Sequence, residues 1–259
     1  MNDTLFSVTD QVVLVSGASR GIGRAIAEGF AQRGARVVIT GRDRSTLEPA
    51  ARAMQARPMV CDVADPAAIE RLVKDVLAEF GQIDTLVNVA GVNRRMLSER
   101  LTEADYDFIM DINLKGSFLL SLAAGKAMLR RGKGSQINIT SLNNDRPLKG
   151  VAPYALSKAA MGQMTRSLAM EWGPRGVRVN AIAPGFVLTD LTRKLWSQPA
   201  MQEWGKTNTP LVRLGQPEDM VGAAIFLASE ASAWMTGQTL FVDGGFSAGL
   251  VWPIDFENQ

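Results

Sequence analysis

Gln11-Val-Val-Leu-Val-Ser-Gly-Ala-Ser-Arg-Gly-Ile-Gly-Arg24 decides the fold of this 259-residue chain. Val12 to Val15 form a short unbroken apolar run, which suits a strand buried on both faces. Gly17, Gly21 and Gly23 follow at once, in the spacing G-x-x-x-G-x-G rather than G-x-G-x-x-G. Residues 24–33 then show helical spacing, with Ile22, Ile26 and Phe30 on one side, and Gly34 closes the helix. Residues 35–40 (A-R-V-V-I-T) read as the next strand. Strand, glycine turn, helix and strand in this order predict the opening of a dinucleotide-binding βαβ unit.

The alternation continues along the chain. Helices are expected over 45–55, 66–80, 102–111, 113–130, 154–172 and 217–229, and strands over 57–61, 83–89, 136–140, 177–182 and 239–242. Asp65-Pro66 and Gly81 mark a helix start and stop, and Gly173-Pro174 ends the longest helix. The fold class is therefore α/β: a single-domain, doubly wound, parallel seven-stranded sheet with helices on both faces, Rossmann-like, over 1–259. Two parts stand outside the alternation. Residues 188–214, with Trp196 and Trp204, are expected as a lid over the carboxyl edge of the sheet. The tail 246–259, with Leu250, Val251, Trp252, Ile254 and Phe256, is expected to dock on a neighbouring subunit or close a pocket.

Composition narrows the chemistry. Hydrophobic residues make up 46% and charged residues 21%, as in a globular protein with a sizeable core. The net charge of +2 comes from scattered basic residues, with no aromatic-interleaved stripe for nucleic acid. The chain contains no histidine, which excludes a Ser-His-Asp triad and any His-ligated metal site. Cys61 is the single cysteine, so no intrachain disulfide forms and a reducing, cytoplasmic setting is expected. The N-terminus does not read as a signal peptide, and no window reaches the ~18 consecutive apolar residues of a membrane span.

A second stretch carries the reactive groups. Tyr154 and Lys158 are one helical turn apart on the same face, and Ser141 follows a β-rich run. A lysine ammonium beside a tyrosine favours the phenolate and lowers a value ordinarily near pH ~10. Alone, this spacing is common by chance in ordinary helices. After the second strand come Gly41, Arg42, Asp43 and Arg44. An acid at that strand end would bond a ribose 2′-hydroxyl, whereas Arg42 with Arg20 suits a 2′-phosphate and so NADP(H). Asp43 swinging in would favour NAD(H) instead.

These residues together resemble the short-chain dehydrogenase/reductase family, of the type that works with an active-site tyrosine. The resemblance covers residues 8–247 and rests on Ser16 to Gly23, Asp62-Val63, Asn88-Val-Ala-Gly91, Asn113, Ser141, Tyr154-x-x-x-Lys158, Pro184-Gly185 and Asp243-Gly-Gly245. Val89 and Ser16 depart from the family's usual asparagine and threonine. The resemblance implies that Gly17, Ser19, Arg20, Gly21, Ile22 and Gly23 cradle the cofactor phosphates. Asp62 and Val63 would contact the adenine, and Asn88, Ala90 and Gly91 the adjoining ribose. Pro184, Gly185, Val187 and Thr189 would hold the nicotinamide carboxamide. Ser141 would bond the substrate oxygen and Tyr154 would exchange the proton. Lys158 would hold the ribose and lower the tyrosine pKa, and Asn113 would keep a water in a proton relay.

Substrate readings are coarser. Asn143 and Asn144 could bond substrate hydroxyls, Arg94, Arg95 and Arg146 could pair a carboxylate or phosphate, and Trp196 belongs to the expected lid. The favoured substrate is a polyol, sugar or sugar acid. A 3-oxoacyl-thioester reductase is the alternative, with Arg130, Arg131 and Lys133 offered to an acidic carrier protein. A non-catalytic NADP(H) sensor is a third reading, opposed by the complete Asn113, Ser141, Tyr154 and Lys158 set. The resemblance further implies a homotetramer, with the Met161, Met164 and Leu168 face fitting either an interface or the core.

Overall fold

Strand β1 (Val12–Ser16) is buried at every position, as its apolar run requires. The computed structural model, which describes residues 4–252, pairs it in parallel with β2 (Arg36–Gly41) on one side and β4 (Thr85–Asn88) on the other. The sheet holds seven strands, all parallel, in the order β3-β2-β1-β4-β5-β6-β7. Here β3 is Arg57–Val60, β5 Gly134–Ile139, β6 Val177–Pro184 and β7 Thr239–Val242. The strand order reverses between β1 and β4, so the helix after β1 and the chain after β4 part company there. That split leaves a crevice at the carboxyl ends of the strands.

Helices cover both faces. Helices α1 (Gly21–Ala31) and α2 (Arg44–Met54) pack on one side with a later helix, α9 (Val221–Ala228), through Ile26, Phe30, Leu47 and Ile225. Helix α3 (Pro66–Phe80) covers the other with α5 (Ser117–Arg131) and α6 (Ala152–Trp172), through Leu72, Val76, Leu120 and Trp172. Local signals set the ends: the Asp65 side chain accepts from the Ala67 N–H at 2.9 Å, and Gly81 turns left-handed after Phe80.

Two expectations change, and one left open is decided. The helices expected over 102–111 and 113–130 form one continuous run, in which α4 (Glu103–Met110) joins α5 through a π-helical segment, Asp111–Gly116. That run, Glu103–Arg131, is long and apolar enough to cross a membrane by length and composition. Half of its most apolar window is buried inside the molecule, where α5 packs against α3 and α6. The stretch expected as one helix over 217–229 starts as a 3₁₀ turn, Pro217–Met220, before α9. On α6, Met161, Met164 and Leu168 are buried in the core of this chain, so they are not free for an interface; Leu156 and Met170 are the exposed apolar groups of that helix.

The segment 188–214 contains two short helices, α7 (Arg193–Trp196) and α8 (Pro199–Thr207). They sit on a third apolar cluster built from Leu142, Phe186, Trp196 and Leu214. Phe186 makes edge contacts with Trp196 and Phe246 at 5.4 and 4.7 Å between ring centroids. In the tail, Leu250, Val251 and Trp252 are exposed, while Ile254 and Phe256 lie outside the described residues.

Helices α5 and α6 meet where Gly125 lies under the Trp172 ring; a Cβ on Gly125 would stand 2.6 Å from its Cη2. Gly125→Ala must push α5 away from α6, the helix that carries Tyr154 and Lys158. It is expected to cost about 1–3 kcal/mol of unfolding free energy in urea titration, and an unchanged midpoint would contradict this packing.

Candidate active site

One cleft, of about 300 Å³, runs along the carboxyl ends of the strands. At one end lie Gly17, Ser19, Arg20, Gly21, Ile22 and Gly23 with Arg42; in the middle lie Asp62, Val63, Ala90 and Gly91. At the far end are Ser141, Tyr154 and Lys158, roofed by Pro184, Gly185, Val187 and Thr189. Residues far apart in sequence converge because six of the seven parallel strands, β1 to β6, deliver their carboxyl ends to this cleft.

The phosphate end is built from backbone. Gly17 has φ +65°, and a Cβ there would lie 2.7 Å from the Ala90 Cα, so the turn closes only with glycine. Ser16 buttresses the same contact: its hydroxyl accepts the N–H groups of Val89 and Ala90 at 3.0 and 3.3 Å. No side chain caps the start of α1, and its first turn carries no carboxylate. Its N-terminal N–H groups and dipole therefore suit a phosphate anion in the cleft. A dinucleotide fits this arrangement, with its phosphates at α1 and its far end beside Tyr154.

The arginines and the competing acid are separated. Arg20 and Arg42 are exposed and, within the described residues, make no ion pair or side-chain hydrogen bond. Asp43 is engaged elsewhere: it caps α2, accepting from the Ser45 N–H at 2.8 Å and hydroxyl at 2.7 Å, which lowers its pKa. Asp62 lines the cleft while accepting the Ala64 N–H at 3.0 Å.

Asn88 does not face the cleft. Its side chain points into the helical layer and donates to Ser121 Oγ at 2.8 Å and Asn138 Oδ1 at 2.9 Å. The ribose contact expected of it is therefore corrected: alternation along β4 turns residue 88 inward, leaving Val89 to Val92 to line the cleft.

The end with Ser141, Tyr154 and Lys158 is largely buried, with Tyr154 half-buried. Lys158 is buried and its ammonium donates to the Ile139 carbonyl at 2.7 Å, 5.8 Å from the centroid of the Tyr154 ring. Burial pushes its pKa down to about 8. Burial also raises the Tyr154 phenol, opposed by a hydrogen bond from Ser141 and by the charge of Arg95. The expected lowering of the phenol by Lys158 is thus not what this geometry delivers; Ser141 and Arg95 do the lowering, and burial outweighs both. Asn113 sits in the π segment with its Oδ1 accepting the Val92 N–H at 2.8 Å. Its Nδ2 donates to the Val92 carbonyl and to Ser157 Oγ, both at 3.0 Å. It does not line the cleft, although its Oδ1 and Lys158 Nζ both border Gly91.

The expected substrate residues divide. Arg94 is held by Asp105 and stacks on Phe108, 4.2 Å from the ring centroid. Arg146 pairs with Asp145 and reaches the Ser247 carbonyl. Trp196 is buried in the third cluster, away from the cleft. Asn144 packs onto Gly162 of α6, and Asn143 is fully used inside its own turn. Arg95 alone of this set is exposed, without a partner among the described residues, and close enough to act on Tyr154.

Sequence reading missed the Ile139 carbonyl, which has no side-chain signature, and Ser157, whose hydroxyl secures Asn113. It also missed Thr192. The Thr192 hydroxyl donates to the Val187 carbonyl at 2.6 Å and accepts the Thr189 N–H at 3.0 Å, shaping the roof. The polar hydroxyl of Ser157 inside a helix, beside the key lysine, was the available clue.

A model of the enoyl-(acyl carrier protein) reductase family matches residues 17–247. A gluconate 5-dehydrogenase of Gluconobacter oxydans is 38% identical over 95% of this chain and 98% of its own. A 3-oxoacyl-[acyl-carrier-protein] reductase of Synechocystis is 41% identical over 92% of this chain and 98% of its own. Among solved structures, a gluconate 5-dehydrogenase from Burkholderia cenocepacia, in complex with NADP and tartrate, superposes with a TM-score of 0.92. It shares 36% identity and covers 95% of this chain and 99% of its own.

The depressed Lys158 pKa has a consequence for stability. The unfolded chain binds this proton up to about pH 10.5, the folded one only to about 8, so the unfolded state holds more protons between them. The cost of the buried ammonium is full below pH 8 and fades as pH rises toward 10.5. In the cofactor-free protein, Lys158→Met is expected to remove this rise. Urea unfolding of wild type and variant across that window checks it, and parallel curves would contradict it.

Proposed function

The chain belongs to the short-chain dehydrogenase/reductase family, and we propose that within it this protein is an NADP(H)-preferring dehydrogenase of a sugar acid or related polyol. At the coarser level it is an NAD(P)(H)-dependent oxidoreductase acting on CH–OH and C=O groups. The observation that carries the proposal is one cleft joining two arginines, unpaired among the described residues, at one end to Tyr154 at the other.

Arg20 and Arg42 would pair a 2′-phosphate, since Asp43 is committed to capping α2 and offers no carboxylate to a bare ribose. The nicotinamide, when bound, supplies or accepts the hydride. Tyr154 exchanges a proton with the substrate oxygen. Its raised pKa keeps it a phenol near neutral pH, ready to donate to a carbonyl oxygen in the reductive direction. Lys158 holds positive charge and donors at the inner wall, and Ser141 bonds the reacting oxygen. Asn113 shapes the wall from behind through Val92 and Ser157.

Arg95 supports an acidic substrate. Its guanidinium, without a partner among the described residues, acts on the phenol by charge from outside the cleft lining, and a carboxylate of the substrate would complete the pair. The similarity to gluconate 5-dehydrogenases agrees. Of the basic group offered to a carrier protein in the alternative reading, which the 3-oxoacyl-[acyl-carrier-protein] reductase similarity supports, Arg130 is exposed and the other two are engaged. Arg131 is tied to Asp84 and the Ile83 carbonyl, and Lys133 to Glu230, beside the amino end of β4 and far from the cleft. Assembly as a homotetramer belongs to the same proposal, with the exposed Leu156 and Met170 of α6 as contact groups.

The test is turnover of sugar acids, uncharged polyols and 3-oxoacyl thioesters with each cofactor. Arg42→Ala is expected to weaken NADP⁺ at least about tenfold while leaving NAD⁺ within about twofold. Arg95→Ala is expected to raise KM for the sugar acid about tenfold and leave a neutral polyol unchanged. Equal losses for both cofactors, or turnover of the thioester alone, would overturn the proposal.

A further inference from the structure

Asn143 makes three contacts inside one turn. Its Oδ1 accepts the Leu148 N–H at 2.9 Å, its Nδ2 donates to Ser141 Oγ at 3.1 Å, and its backbone N–H donates to the same oxygen at 3.2 Å. The orientation of the carboxamide is fixed by chemistry. A backbone N–H can only donate, so the atom facing Leu148 is the oxygen, and the atom facing Ser141 is the nitrogen. A hydroxyl oxygen accepts at two lone pairs. Both are filled here by N–H groups of one residue. The remaining capacity of Ser141 is its O–H, and Ser141 lines the cleft.

We propose that Asn143 is a positioning residue that makes Ser141 an obligate hydrogen-bond donor, its one O–H directed to the Tyr154 phenol before substrate binds and to the reacting oxygen once substrate is bound. The inference rests on the dehydrogenase reading of the same site and goes further, because it assigns the polarity of the serine to a residue outside the reacting set. A donor-only serine favours an oxygen rich in lone pairs, such as a carbonyl or a developing alkoxide, over a hydroxyl that must itself donate. The turn is also tied to the tyrosine's own helix. The Asn144 carboxamide oxygen lies 2.1 Å from where a Cβ on Gly162 would be, so it sits flush on α6, two turns beyond Tyr154. Serine and tyrosine are thus set on one support.

Asn143→Asp separates polarity from packing. The carboxylate still accepts the Leu148 N–H, so the turn stays anchored, but it now accepts from Ser141 and takes the O–H away from the cleft. Asn143→Ala gives up the anchor and leaves the O–H free to turn either way. The charged groups facing the phenol, Lys158 from α6 and Arg95 from the chain after β4, are the same in both variants. The chain has two tyrosines and Tyr106 is 44% exposed, so ultraviolet titration resolves the Tyr154 phenol without any substrate.

The Asp variant is expected to raise the phenol pKa by about one unit or more, through the lost donor and the added negative charge. It is also expected to lower kcat about 10²-fold with the sugar acid, a larger loss than in Asn143→Ala. An Asp variant with an unmoved phenol titration, or one more active than the Ala variant, would overturn the assignment. Failure of the wild type to turn over any alcohol or ketone would instead overturn the dehydrogenase reading, and the phenol titration would still decide the role of Asn143.

Discussion

The Asn113 carboxamide bonds two segments at once from a third. It takes the Val92 N–H, gives to the Val92 carbonyl and gives again to Ser157 on α6, all while fully buried. The wall after β4, the α4–α5 run and the helix carrying Tyr154 and Lys158 are thereby held in one geometry. The π-helical segment makes this possible. Its wider turn rotates the helix locally and brings residue 113 inward, at the cost of poorer regular hydrogen bonding. Without that amide, the half-buried Val92 would lose the partner of both its N–H and its carbonyl.

Around that anchor the site is organised by burial more than by direct charge pairing. Lys158 spends its ammonium on the Ile139 carbonyl and loses proton affinity to desolvation. Tyr154 stays a phenol because burial outweighs its two stabilising neighbours. A chain without histidine thus keeps a neutral proton donor at the end of the cleft. The opposite end is the reverse case, with backbone N–H groups and two exposed arginines where anionic groups would sit.

Much of this was legible in the sequence because it depends on period and punctuation. The apolar run of β1, the glycine turn and the alternation of strands and helices all leave local marks, and they place Ser141, Tyr154 and Lys158 at one edge. What the sequence hid was rotation. Asn88 ends β4 and Val89 follows it, yet one enters the helical layer and the other lines the cleft. Met161, Met164 and Leu168 share a face of α6, but only packing reveals that it faces inward. Asn143 and Asn144 read as free polar groups at the mouth; one is consumed by Ser141 and Leu148, the other by the bare surface of Gly162. Arg94, Arg95 and Arg146 are alike in sequence and differ only in which acids and rings lie within reach.

Tyr154, proposed as the proton donor, lies at the end of the cleft opposite the glycine turn and the two arginines. The most direct measurement removes the phenolic oxygen alone. In Tyr154→Phe, NADP⁺ affinity measured by calorimetry should stay within about threefold of wild type, while turnover of the preferred substrate falls by about 10³-fold or more. Turnover close to wild type with cofactor affinity retained would contradict the account.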